Sequence, residues 1–63
     1  MIENAKIDTI RSWLKNEYGW YTSPTGDGVK LGDGVTLGNW VNLGNRVTLG
    51  DGVTLWNGVT LWN

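Results

Sequence analysis

The stretch that decides the fold is GDGVKL-GDGVTL-GNWVNL-GNRVTL-GDGVTL-WNGVTL, residues 26–61, six consecutive units of six residues. Val stands at 29, 35, 41, 47, 53 and 59, and Leu at 31, 37, 43, 49, 55 and 61, without one exception. A fixed period kept this strictly outranks any local propensity as evidence for architecture. Each unit places two apolar residues two apart with a polar residue, most often Thr, between them. In an extended chain the Val and Leu then face one side and the intervening residue faces the other. The Gly-Asp-Gly or Gly-Asn-x that follows supplies residues tolerant of left-handed backbone states, and so predicts a corner between short strands. Strand and corner in alternation close on themselves, with successive turns pairing in parallel around a Val/Leu interior. The reading is a β-solenoid in which each coil touches only its neighbours.

Upstream the grammar changes. In residues 1–22, Ile7, Ile10 and Leu14 recur at helical spacing, with Trp13 beside them and Tyr18 a turn on. Glu3, Lys6, Asp8, Arg11, Lys15 and Glu17 fill the opposite side. This predicts an N-terminal amphipathic α-helix that docks its apolar stripe as a cap, with Asn4 as a candidate N-cap and Gly19 just past the C-terminus. Pro24 ends any helix, so residues 23–25 are read as a linker and 26–63 as the repeat domain.

The order Leu-Gly-x-x-Val-x resembles the hexapeptide-repeat family, the left-handed parallel β-helix, over residues 26–63. The resemblance implies three units, or eighteen residues, per coil, so that the chain holds about two coils. It then implies which residues stack: Val29 with Val47, Leu31 with Leu49, Leu37 with Leu55, Leu43 with Leu61, and at the corners Asp33 with Asp51 and Asn39 with Asn57. It also implies assembly, because members of the family commonly form trimers with parallel helix axes.

Composition bounds the function. The chain has 63 residues, no Cys, no His, and a net charge of −1 from five basic and six acidic residues. No disulfide framework or thiolate metal site can be built. The family's best-known members are acyltransferases acting through His, and relatives hold zinc with His. Those residues have no counterpart here, so the expectation is a non-enzymatic chain with no cofactor. Near-neutral charge argues against a nucleic-acid partner. No apolar stretch approaches a membrane span, charges in the first residues break up a signal-peptide core, and a cytoplasmic location is the default expectation.

Two coils share only one coil–coil interface and expose strand edges at both ends, and exposed edges template further pairing. The expected partner is therefore the chain itself, as a homotrimer first and a stacked filament second. The expected role is a self-assembling structural or protein–protein interaction module. The alternatives are a small oligomeric protein binding a nucleotide or glycan at subunit clefts, and a truncated or engineered piece of a longer repeat protein. The candidate interface or ligand residues are Ile7, Ile10, Trp13 and Leu14 of the cap, and Trp20, Trp40, Arg46, Trp56 and Trp62. Trp56 and Trp62 replace the Gly that opens earlier units; Trp40 and Arg46 replace the Gly at the third place of the unit. An Asp33/Asp51 cation site is outweighed by a plain corner role. The outward Thr row is too interrupted, by Lys30 and Asn42, for an ice-binding face.

Overall fold

The computed structural model describes residues 1–62; Asn63, the end of the predicted repeat domain, lies outside the described residues. In chain order the elements are helix α1 (Ile7–Arg11) and strands β1 (Trp20–Thr22), β2 (Gly28–Leu31), β3 (Thr36–Leu37), β4 (Asn42–Leu43), β5 (Arg46–Leu49), β6 (Thr54–Leu55) and β7 (Thr60–Leu61).

The six units form two triplets, 26–43 and 44–61, that lie against each other. β2 pairs with β5, β3 with β6 and β4 with β7, all parallel. Every register is offset by eighteen residues: Val29 faces Val47, Leu31 Leu49, Leu37 Leu55 and Leu43 Leu61. Between strands the ladder continues through the corners, where the N–H groups of Gly32, Gly38 and Gly44 donate to the carbonyls of Leu49, Leu55 and Leu61, each at 2.7 Å. The corner side chains join in. The Asp33 N–H donates to Asp51 Oδ1 and the Asn39 N–H to Asn57 Oδ1, both at 2.8 Å. Asp and Asn at the second place of the unit therefore cross-link triplets as well as turning the chain.

Val and Leu point inward as the period-2 pattern requires. Val29, Val41 and Leu43 are fully buried, and Val35, Val47 and Leu49 nearly so. Lys30, Thr36, Thr48, Thr54 and Thr60 are exposed on the outer faces.

The N-terminal region departs from the expected helix over 1–22. The helix has five residues, with Lys6 at its N-cap and no side-chain cap bond. Asn4 is not the cap: it sits at φ +49°, its N–H donates to Asn42 Oδ1 and its own Oδ1 accepts the Trp40 N–H. Ser12 ends the helix, its hydroxyl and N–H both bonding back to the Thr9 carbonyl. Residues 14–22 then form a small antiparallel hairpin. Lys15 bridges Tyr21, the Thr22 N–H donates to the Leu14 carbonyl, and Asn16 Oδ1 accepts the N–H of both Tyr18 and Trp20 across the turn. Gly19 has the positive φ expected of it, +90°, but in this turn rather than at a helix end. The end of the segment read as helix is thus the strand β1, which pairs antiparallel with β2.

The physical reason is competition. Five helical residues gain little alone in water, whereas Trp-Tyr-Thr suits a strand and the free edge of β2 offers it hydrogen bonds. A second piece of the cap, Ile2, bridges Leu43 on the edge of β4, and the Ala5 N–H donates to the Val41 carbonyl at 2.6 Å. Ile10 plugs the end of the interior with no exposed surface, beside Ala5 and Tyr21.

Candidate functional site

The cap residues singled out from sequence divide. Ile10 is buried, and Ile7 and Trp13 pack half-buried against the core. Leu14 does not join them. It is 88% exposed, because the helix stops at Arg11 and Leu14 begins the hairpin instead of the next helical turn. Ile2 and Ala5 take places in the cap that helical periodicity gave no reason to assign. Their signal is the neighbouring strand edge, which only the folded repeat supplies.

One corner joins the cap to the repeat. Gly26, Asp27 and Gly28 lie over Gly44, Asn45 and Arg46. Asp27 is nearly buried; its carboxylate accepts bonds from the Thr25 hydroxyl at 3.0 Å and the Ser23 hydroxyl at 3.4 Å. The Met1 amino group lies 3.3 Å from Asp27 Oδ1. Ser23 Oγ in turn accepts the Asp27 N–H. On the outside of this corner Arg46 stacks over Trp20, 4.6 Å from the ring centroid. Two of the sequence candidates are thereby brought together, one from the cap and one from the second triplet. Arg46 is accommodated because its φ is not positive, the backbone here having already entered β5.

Trp40, Trp56 and Trp62 are 69%, 76% and 74% exposed. Trp40 and Trp56 belong to the same corner, since residues 38–40 lie over 56–58. Trp40 holds φ +61°, a left-handed state occupied in three other units by Gly34, Gly52 and Gly58. A bulky side chain in this region is a true outlier.

Trp56 answers a different constraint. A Cβ on Gly38 would lie 2.6 Å from Asn57 Oδ1, 2.7 Å from the Asn57 backbone N and 2.8 Å from the Trp56 carbonyl carbon. A Cβ on Gly32 would meet the Asp51 N and Oδ1 at 2.5 Å and the Gly50 carbonyl carbon at 2.6 Å. At Gly32 and Gly38 the first place of the unit therefore points at the following triplet and has no room for a side chain; at Gly26, which holds φ +90°, nothing lies within 4 Å. At Gly50, in the second triplet, nothing lies within 4 Å. Trp56 stands at the corresponding place one unit later.

The two ends of the repeat are unlike. At the first triplet, β2 and β4 have their edges occupied by β1 and Ile2. At the second triplet, β5, β6 and β7 have no further strand beside them among the described residues. The interior is also less covered over part of that triplet: Val53, Val59 and Leu61 are half-buried where Val35, Val41 and Leu43 one triplet earlier are buried, while Leu37 and Leu55 are both half-buried and Val47 and Leu49 are buried. The open face carries little charge. Asp51 turns its carboxylate toward Asp33, and Arg46 lies on Trp20. Among the described residues no concave pocket opens, and no three acidic side chains gather as a cation site.

Comparison with known proteins gives one match. The family model for the bacterial transferase hexapeptide, six repeats, matches residues 26–61. No curated protein and no solved structure matches the chain. The match takes in all six units and more than half of the chain, so the chain belongs to the hexapeptide-repeat family of bacterial transferases.

Proposed function

We propose that the chain is a non-enzymatic, self-associating structural module, built as two coils of a left-handed parallel β-helix with a fold-back N-terminal cap. The observation that carries this reading is the asymmetry of the ends: the edges of β2 and β4 are covered by β1 and Ile2, whereas those of β5, β6 and β7 are left open among the described residues, over an interior that is half-buried at Val53, Leu55, Val59 and Leu61. Natural sheets protect open edges with Lys, Pro, bulges or inward charges. Among the described residues the open edge has no Lys or Pro, its Asp51 turns toward Asp33, and its Arg46 is drawn off onto Trp20. An edge so left is suited to pairing with another chain.

Handedness follows from the family rather than from the pairing register, which is the same for either hand. An experimental structure in which the connection between β2 and β5 turned right-handed would overturn that part. The absence of His from the sequence supports the non-enzymatic reading, since the acyl-transfer chemistry associated with the family relies on that residue. Acetyl transfer from acetyl-coenzyme A to a panel of amine and hydroxyl acceptors is the direct assay. Turnover above the uncatalysed rate would contradict the reading.

Association is tested by sedimentation velocity over a range of concentrations. A species larger than the 7.0 kDa chain, growing with concentration, is expected. A folded monomer at millimolar concentration would refute self-association. A ligand site between chains is the second reading, favoured by the three exposed Trp side chains. It predicts a shift of Trp emission on adding a nucleotide or an oligosaccharide to the assembled protein.

A further inference from the structure

We infer that two copies of the chain meet through their second triplets, tail to tail about a two-fold axis that passes through the Gly50-Asp51-Gly52 corner. The inference rests on the self-association proposed above and names its face and symmetry.

A head-to-tail stack is disfavoured at both ends. At the first triplet β1 and Ile2 already occupy strand edges. At the second, a further triplet in the same parallel register would have to pack on residue 56 as residues 56–57 pack on Gly38. There a Cβ alone would come within 2.6–2.8 Å of the arriving backbone, and residue 56 is Trp. Trp56 thus ends the repeat against another parallel triplet, from this chain or from another.

The edge nevertheless remains open for a different geometry. The N–H groups of Gly32, Thr36, Gly38 and Asn42 donate to the second triplet. By the eighteen-residue period, those of Gly50, Thr54, Trp56 and Thr60 point the same way along the axis, and so out of the open face. A strand edge is complementary to its own copy when the two run antiparallel, and a two-fold axis enforces that arrangement. The repeat already accepts an antiparallel strand at its other end, where β1 lies on β2.

The corners select the axis. An in-plane two-fold leaves one corner of a three-cornered face on itself and exchanges the other two. Gly50 has open space where its Cβ would be, so the corner formed by 50–52 brings two backbones close without collision. The Asp51 carboxylates are turned away toward Asp33. The exchanged corners are those of Trp56 and Trp62, so each Trp56 meets the partner's Trp62 corner, β7 meets its own copy, and β5 meets β6. Four exposed indoles then close over the rim of a joined Val/Leu interior, as aromatic anchors do at protein interfaces.

The test is oxidative cross-linking of the full chain carrying Gly50→Cys, with Thr9→Cys on the cap as the control. Gly50→Cys is expected to form a covalent dimer in most of the material, and Thr9→Cys no more than a trace. Equal or reversed cross-linking would overturn the two-fold axis. Hydrogen exchange of the unaltered chain gives a second reading independent of any variant. Protection of the Gly50, Thr54, Trp56 and Thr60 amides should rise at least tenfold between dilute and concentrated samples. If the chain associates but these amides stay unprotected, the tail-to-tail contact is wrong and self-association stands. That pattern would point to side-by-side packing or to another occupant of the face. If the chain stays monomeric, both fail.

Discussion

Trp40 holds a left-handed backbone at φ +61° with its side chain mostly in solvent, so it bears a conformational cost and buries little in return. For an L-residue that state costs about 1–2 kcal/mol, and the added freedom of Gly in the unfolded chain offsets about 0.5–1 kcal/mol of any relief. Trp40→Gly should therefore stabilise the fold by about 0.5–1 kcal/mol, read as a higher urea midpoint. The backbone N–H bond to Asn4 survives the change. A lower midpoint would mean that the indole holds more than its exposure shows. Asp27 is the opposite case, a nearly buried carboxylate whose partners are the Ser23 and Thr25 hydroxyls and the terminal amino group. Asp27→Ala strips the buried Ser23 hydroxyl, and the more exposed Thr25 hydroxyl and amino group, of their acceptor and should cost about 1 kcal/mol, with the loss again read from the urea midpoint. An unchanged midpoint would show that this corner does not hold the cap to the repeat.

Among the elements, the repeat was legible and the cap was not, for the same physical reason. In residues 26–61 local preference and long-range pairing agree: each Val-x-Leu is a good strand locally and its register partner is another Val-x-Leu. In residues 1–22 they disagree. Ile7, Ile10 and Leu14 have helical spacing, but the edges of β2 and β4 offer hydrogen bonds that a helix cannot use, and Trp20, Tyr21 and Ile2 take them. Sequence patterning finds the burial of Ile10 and misses Leu14, because periodicity is blind to where the helix stops. The corners were legible only in part. Asp51 and Asn57 read as turn formers, yet their side chains also accept the N–H groups of Asp33 and Asn39. At Gly32 and Gly38 the Gly at the first place of the unit is set by close approach, which gives the sharpest test at this scale. Gly38→Ala places a Cβ within 2.8 Å of the following backbone and should destabilise by about 1–3 kcal/mol, the usual cost of overpacking. Thermal denaturation followed by circular dichroism measures it, and a melting temperature equal to that of the unaltered chain would remove the steric account of the repeat's first position.

For the whole molecule, the missing His and the unbroken Val/Leu series pointed from the sequence toward a scaffold without acyl-transfer machinery, and the family match supports the repeat itself. The exposed Trp residues were visible as departures from the repeat, but not their division of labour. Trp40 tolerates a strained corner, whereas Trp56 occupies a place where a further triplet would need Gly. Only the packed distances at Gly32 and Gly38 separate the two. The molecule covers the edges of β2 and β4 with its own chain at one end and leaves β5, β6 and β7 open at the other among the described residues, and the property proposed for it is association through that open end. Sedimentation equilibrium of the unaltered 63-residue chain measures that property most directly. The account predicts a reversible monomer–dimer equilibrium with a limiting mass of twice 7.0 kDa; a single folded species of 7.0 kDa at every concentration, or mass that keeps growing without limit, would contradict it.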